Sequence, residues 1–172
     1  MWEGRALAAR RDVAALATAG LGLAELHRAA IDVVGRVVPA DLVCWASLDP
    51  DTAVISSMTS GATRIPPRYE PLLATFEYGG AEPHTFAELA RRPGSVARLS
   101  DAPGRDAARC GRLNEVWRPL GLRHELRAVF RADGTCWGAA GMVRRGEFTD
   151  RESEFVASVA PAIATATRLA AR

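Results

Sequence analysis

The sequence predicts an α+β domain, with a central antiparallel sheet, terminal helices on one face and a helical insertion on the other. Three observations carry this reading. An Asp133-Gly134 turn joins two strand-like runs, two helical stretches open the chain, and a capping box at Thr149–Glu152 starts a closing helix. The 172 residues suit a single domain. Its parts are leading helices at 1–38, a first hairpin at 41–59, the insertion at 60–122, a second hairpin at 123–148 and the closing helix at 149–172.

Residues 5 to 18 read as a helix carrying Leu7, Val13 and Leu16, weakened at Ala19-Gly20-Leu21-Gly22. From 23 to 38, Leu23, Leu26, Ala30, Val33, Val34 and Val37 recur at helical spacing, with Arg28, Asp32 and Arg36 opposite. Pro39 is the expected stop. Asp41–Leu48 and Thr52–Thr59 read as strands around an Asp49-Pro50-Asp51 turn. In the first of these, Leu42, Cys44, Ala46 and Leu48 share one face; Val43, Trp45 and Ser47 share the other.

The insertion is less regular. Pro66-Pro67 opens a helix with Tyr69, Leu72, Leu73 and Phe76, and Gly79-Gly80 closes it. His84–Arg91 is a short helical segment, and Val96–Leu99 a short strand. Arg105–Leu120 reads as one helix with Gly121 as its C-cap. A long insertion between paired strands often builds a binding site.

In the second hairpin, Asp-Gly tolerates the positive φ of a two-residue turn. Leu126, Ala128 and Phe130 alternate with Glu125, Arg127 and Val129 before it. After it, Cys136-Trp137-Gly138-Ala139-Ala140-Gly141-Met142-Val143 has few polar residues, so both faces should be covered. Its small residues leave room for a group close to the sheet. In the closing helix, Phe155, Val156, Val159, Ile163 and Leu169 form the apolar side, and Pro161 should kink it.

Composition excludes several function classes. No apolar run approaches a membrane span, and the charged start MWEGRALAARRDV does not read as an export signal. Cys44, Cys110 and Cys136 are an odd number without a CxxC pair, which argues for reduced thiols and a cytoplasmic location. All 22 basic residues are arginine, so lysine chemistry is excluded. The arginines are scattered among acids and the net charge is +2, unlike the concentrated basic face of a DNA-binding domain. No HExxH, GxSxG, P-loop or GxGxxG motif occurs.

The element order resembles a GAF domain over nearly the whole chain. More narrowly, Glu125-Leu126-Arg127-Ala128-Val129, Thr135-Cys136-Trp137-Gly138-Ala139, Arg118-Pro119-Leu120-Gly121, Phe148-Thr149 and Ala160-Pro161 are similar to the GAF-like sensor region ahead of LuxR-type helix-turn-helix domains in actinobacterial transcription regulators. The resemblance implies a sheet of about six strands, a small-molecule pocket on the insertion side and a homodimer through the terminal helices. DNA would be reached only through a helix-turn-helix domain beyond Arg172. The chain departs from cyclic-nucleotide-binding GAF domains, whose Asn-Lys-Phe-Asp-Glu signature needs a lysine. It departs from bilin-binding ones too, since Gly111 follows Cys110 where a histidine is usual.

The candidate ligand-binding residues are Trp45, Met58, Phe76, Phe86, Trp117, His124, Leu126 and Trp137. Pockets are mainly apolar with a few placed polar groups, although large aromatics also fill cores. Arg118 and Arg123 are candidates for clamping an anion. His27, His84 and His124 lack ligand spacing, so no metal and no cofactor is expected. The expected function is a non-enzymatic sensor of an unidentified small molecule in a cytoplasmic transcription regulator, with no membrane partner. The alternatives are a dimerisation module without ligand and a thiol enzyme of the methionine sulfoxide reductase type, using Cys44, Cys110 or Cys136.

Overall fold

The computed structural model describes residues 1–171; the expected closing segment ends at Arg172, which lies outside them. In chain order the elements are α1 (Trp2–Leu16), α2 (Leu23–Gly35), β1 (Leu42–Leu48), β2 (Ile55–Ser60), α3 (Glu70–Tyr78), α4 (Phe86–Ala90), β3 (Val96–Arg98), α5 (Gly104–Ala108), a π-helix (Arg112–Trp117), β4 (His124–Ala132), β5 (Thr135–Arg144) and α6 (Asp150–Ala170). The five strands form one antiparallel sheet in the order β2-β1-β5-β4-β3. Five strands replace the roughly six that the resemblance implies.

Strand alternation sends the two sets of side chains into two cores. Trp45, Leu126, Ala128, Phe130, Ala140 and Met142 face the terminal helices, where they meet Val13 of α1, Val34 of α2 and Phe155 and Ile163 of α6. Trp45 stacks on Phe130 with ring centroids 5.2 Å apart. The opposite face is covered by the insertion, in one cluster around Leu42, Leu113, Val116 and Trp117 and another around Ala46, Phe86, Leu89 and Val129. Thr149 and Glu152 cap α6 reciprocally, and Arg144 ties Glu152 to the carbonyls of Pro39 and Glu147. The helix continues through Pro161 to Ala170.

Three local differences from the sequence reading have physical causes. β2 begins at Ile55, because the Asp49 carboxylate accepts from the Asp51 and Thr52 amides and holds a longer loop that ends on Ala53 at φ 60°. β5 contains a bulge opposite Phe130–Arg131: Cys136 pairs with Arg131 and Gly138 with Phe130, leaving Trp137 as the extra residue. The expected single helix over 105–120 is broken into α5, the π-helix and a 3₁₀ turn at Arg118–Leu120. At the break the Glu82 carboxylate takes the Gly111 and Arg112 amides, and Phe76 packs on Gly111, where a Cβ would lie 2.3 Å from its ring.

The glycines of β5 have opposite surroundings. A Cβ on Gly138 would stand 2.9 Å from the Ala46 carbonyl and 3.3 Å from Phe130, whereas one on Gly141 would meet only Phe86 at 3.9 Å. Gly138→Ala is therefore expected to lower unfolding free energy by about 1–3 kcal/mol. Gly141→Ala should leave it within about 1 kcal/mol. Urea denaturation of the two variants checks the contrast.

Candidate functional site

The sheet face under the insertion forms a grid. One transverse row runs Ser60, Cys44, Gly141, Arg127 and Ala97; the next runs Leu42, Val143 and Glu125; the one on the other side runs Met58, Ala46, Ala139 and Val129. Gly141 lies mid-row and contributes no side chain, so Cys44 and Arg127 flank a depression. Above it, Ile65, Leu73, Glu77 and Tyr78 from α3 and its approach, with Phe86 and Trp117, enclose a cavity of about 450 Å³. It opens to solvent beside Met58 and Tyr78, each about half exposed, and beside Arg64 and Glu70.

The wall of this cavity is charged. Glu125 is 2% exposed and lies on the apolar-lined floor. Its Oε1 accepts from Arg112 Nη2 at 2.7 Å, its Oε2 accepts from the Trp117 indole N–H at 3.1 Å, and Arg112 Nε lies 3.3 Å from both oxygens. Arg112 and Trp117 are five residues apart. In an α-helix they would point about 140° apart. The wider π turn brings both to one acceptor. Arg112 also reaches Glu82 at 3.4 Å and the Pro83 carbonyl at 3.0 Å. The Glu82 carboxylate accepts from the backbone N–H groups of Gly111 and Arg112, which holds the start of the π-helix.

Arg127 extends the network. Its Nη1 donates to Glu77 Oε1 at 2.7 Å and to the His84 carbonyl at 3.2 Å, and its guanidinium sits 4.0 Å over the Phe86 ring. Glu77 accepts from the Phe86 amide through its other oxygen. His84 adopts φ 56°, and its Nδ1 accepts from Arg92 Nη1 at 2.8 Å. Burial holds its pKa down, and the Arg92 and Arg112 charges add to this.

Burial alone would raise the Glu125 carboxyl, but the Arg112 and Arg127 charges override it and bring it from 4.5 to about 2. Arg112 is pushed up, with Glu125 outweighing desolvation. All three thiols are raised by burial, Cys110 to about 11.

Of the eight residues singled out from the sequence, Met58, Phe86 and Trp117 line the cavity. Trp45 and Leu126 lie on the other face, in the core under the terminal helices. Phe76 packs against Gly111 behind the cavity wall. His124 pairs with Glu147 at 3.2 Å at the sheet margin, and Trp137 sits in the bulge. Arg118 and Arg123 are exposed and outside the lining. Glu77, Glu125, Arg127 and Gly141 were not singled out as site residues. The available signal was a Glu-x-Arg pair alternating with apolar residues in a strand expected to be covered on both faces, because charges there must be paired.

Because Glu125 titrates lower in the native protein than in the unfolded chain, its contribution is full above pH about 5 and is lost as pH falls through 4.5 toward 2. Glu125→Gln is expected to cost about 3–5 kcal/mol at pH 7, leaving two guanidiniums short of a charge. It should also flatten the acid limb of stability against pH. Chemical denaturation from pH 2 to 7 checks both.

No family model and no curated protein matches the sequence. Solved structures do match its fold. The GAF domain of a phosphoenolpyruvate-protein phosphotransferase from Coxiella burnetii aligns at TM-score 0.61 and 16% identity over 93% of this chain and 90% of that one. The phycocyanobilin-bound GAF domain of a cyanobacterial phytochrome aligns at 0.62 and 14%, over 96% and 94%. Free methionine-R-sulfoxide reductase from Neisseria meningitidis, in complex with its substrate, aligns at 0.57 and 12%, over 96% and 92%. With this sheet, this distribution of helices and these likenesses, the chain has a GAF-like fold.

Proposed function

We propose that this chain is a non-enzymatic, small-molecule-sensing GAF domain of a cytoplasmic transcription regulator of the LuxR type. The carrying observation is the cavity of about 450 Å³ between sheet and insertion, apolar over most of its lining, with Arg127 and Glu125 at its base and Glu77 reaching down from α3. That size and balance of groups suit a small organic ligand. The phytochrome domain with the same fold is bilin-bound. The regulator assignment rests on the sequence motifs around β4, β5 and α6.

β4 supplies the route for a signal. Glu125 and Arg127 face the cavity, while Leu126, Ala128 and Phe130 on the same strand pack under α6 and its neighbours. A ligand that moves Arg127 or the Trp117 wall alters the strand that supports α6. It shifts the equilibrium only by its difference in affinity for the two packings. Homodimerisation through the terminal helices would use Leu7 of α1 and Leu169 of α6, which stay exposed on the single chain.

The thiol-enzyme reading draws less support. A nucleophilic cysteine needs a lowered pKa, and burial raises all three. Cys44 pairs with Gly141, five residues and roughly 17 Å along β5 from Cys136. A variant with all three cysteines changed to serine is expected to keep its ligand binding, measured by calorimetry.

The sensor reading is tested by a thermal-shift screen of metabolites on the wild type and on Gly141→Val, whose side chain would project into the cavity. Ligands that raise the wild-type Tm by several degrees should lose that effect in the variant, while its own Tm stays within about 3 °C. A screen in which stabilising ligands act equally on Gly141→Val overturns the reading.

A further inference from the structure

Arg127 carries a hydrogen-bonding edge that the protein does not use. Its Nη1 is committed to Glu77 and the His84 carbonyl. Its Nε lies 3.5 Å from Glu125 Oε2 without the alignment to donate, and it has no partner among the described residues. Its Nη2 has no hydrogen bond to the described residues and, unlike Nε, is not among the fully buried atoms, on a side chain that lines the cavity. The side chain is 8% exposed and lines the cavity beside Gly141. A guanidinium so deeply buried normally has its N–H groups satisfied.

The surrounding charge decides what would satisfy it. Three carboxylates, Glu77, Glu82 and Glu125, stand around two guanidiniums, Arg112 and Arg127. Both oxygens of Glu125 are occupied by Arg112 and Trp117. A ligand carboxylate at Nη2 would add a negative charge to a buried cluster already in excess by one, and like charges in a desolvated site repel strongly. An uncharged oxygen accepts the same N–H groups without that repulsion. The remaining lining, with Leu42, Leu73, Phe86, Trp117 and Val143, suits an apolar body.

Resting on the sensor reading, we propose that Arg127 Nη2 anchors the carbonyl oxygen of an uncharged ligand, such as an amide, ketone or ester, whose apolar body lies over Gly141. Arg127 supplies the anchor, and the carboxylates around it, Glu77, Glu82 and Glu125, select neutral over anionic ligands.

Two probes with one body, naphthylacetamide and naphthylacetate, separate the head-group charge from everything else. Each is titrated to millimolar concentration into ¹⁵N-labelled wild type, Arg127→Lys and Gly141→Val, following the backbone amide at position 141 in all three and the Arg127 Nε–H signal where Arg127 is present. The amide is expected to shift both signals and to bind about 10-fold more tightly than the carboxylate, whose charge adds to the excess of Glu77, Glu82 and Glu125. Arg127→Lys, which retains the charge but not the second N–H arm, should weaken amide binding about 10-fold, the scale of one hydrogen bond to a charged group. The anchor proposal is overturned if the carboxylate binds as tightly, if neither probe binds, or if a folded Arg127→Lys binds the amide unchanged. Should Arg127→Lys fail to fold, the wild-type contrast between the probes decides alone. Those failures leave the cavity reading intact as long as ligands from the metabolite screen are lost in Gly141→Val. Amide binding that survives Gly141→Val and leaves the wild-type Gly141 signal unmoved overturns the cavity reading itself.

Discussion

The buried Glu125 carboxylate is the constraint on which the arrangement above the sheet depends. An ionised group at 2% exposure is tolerable only when its oxygens are filled by well-placed donors. Arg112 and Trp117 are those donors, and both come from the π-helix. The carboxylate thus dictates an unusual helical turn, and the turn in turn fixes the wall of the cavity. Such a pairing adds little net stability over an apolar core, but loss of either member is costly. Its contribution is one defined geometry, in which the insertion can sit on the sheet in a single way.

The two faces of the sheet divide the labour. Under the terminal helices, Trp45, Phe130, Phe148 and Phe155 are packed without room for anything else. Under the insertion, the same strands present Gly141, Cys44 and a ring of partly buried apolar residues around charged groups. Strand alternation makes this possible, because neighbouring residues on β4 serve a close-packed core and a cavity floor. The glycines of β5 show the same division: Gly138 is needed because backbone and Phe130 crowd it, and Gly141 leaves space that remains open.

Features set by a few adjacent residues were legible in the sequence. Asp133 and Gly134 both adopt positive φ, Gly121 takes the left-handed C-cap, and Thr149–Glu152 closes its capping box. The two-faced character of β4 and β5 was legible from composition. The break of the 105–120 helix was not, because its cause lies in Glu82, some thirty positions away in the chain, and in Phe76 against Gly111. Aromatic content pointed to the cavity wall at Phe86 and Trp117 but equally to Trp45, which strand parity places in the other core. The bulge that redirects Trp137 depends on the register between β4 and β5, which no local pattern encodes.

The most direct measurement of this account is a double-mutant cycle between Glu125 and Arg112, read by urea unfolding of Glu125→Gln, Arg112→Met and the combined variant. The account predicts a coupling of about 2 kcal/mol or more, with the double variant recovering much of what either single change loses. Effects that add to within about 0.5 kcal/mol would show the two side chains acting independently and would contradict the claim that their pairing holds the insertion on the sheet.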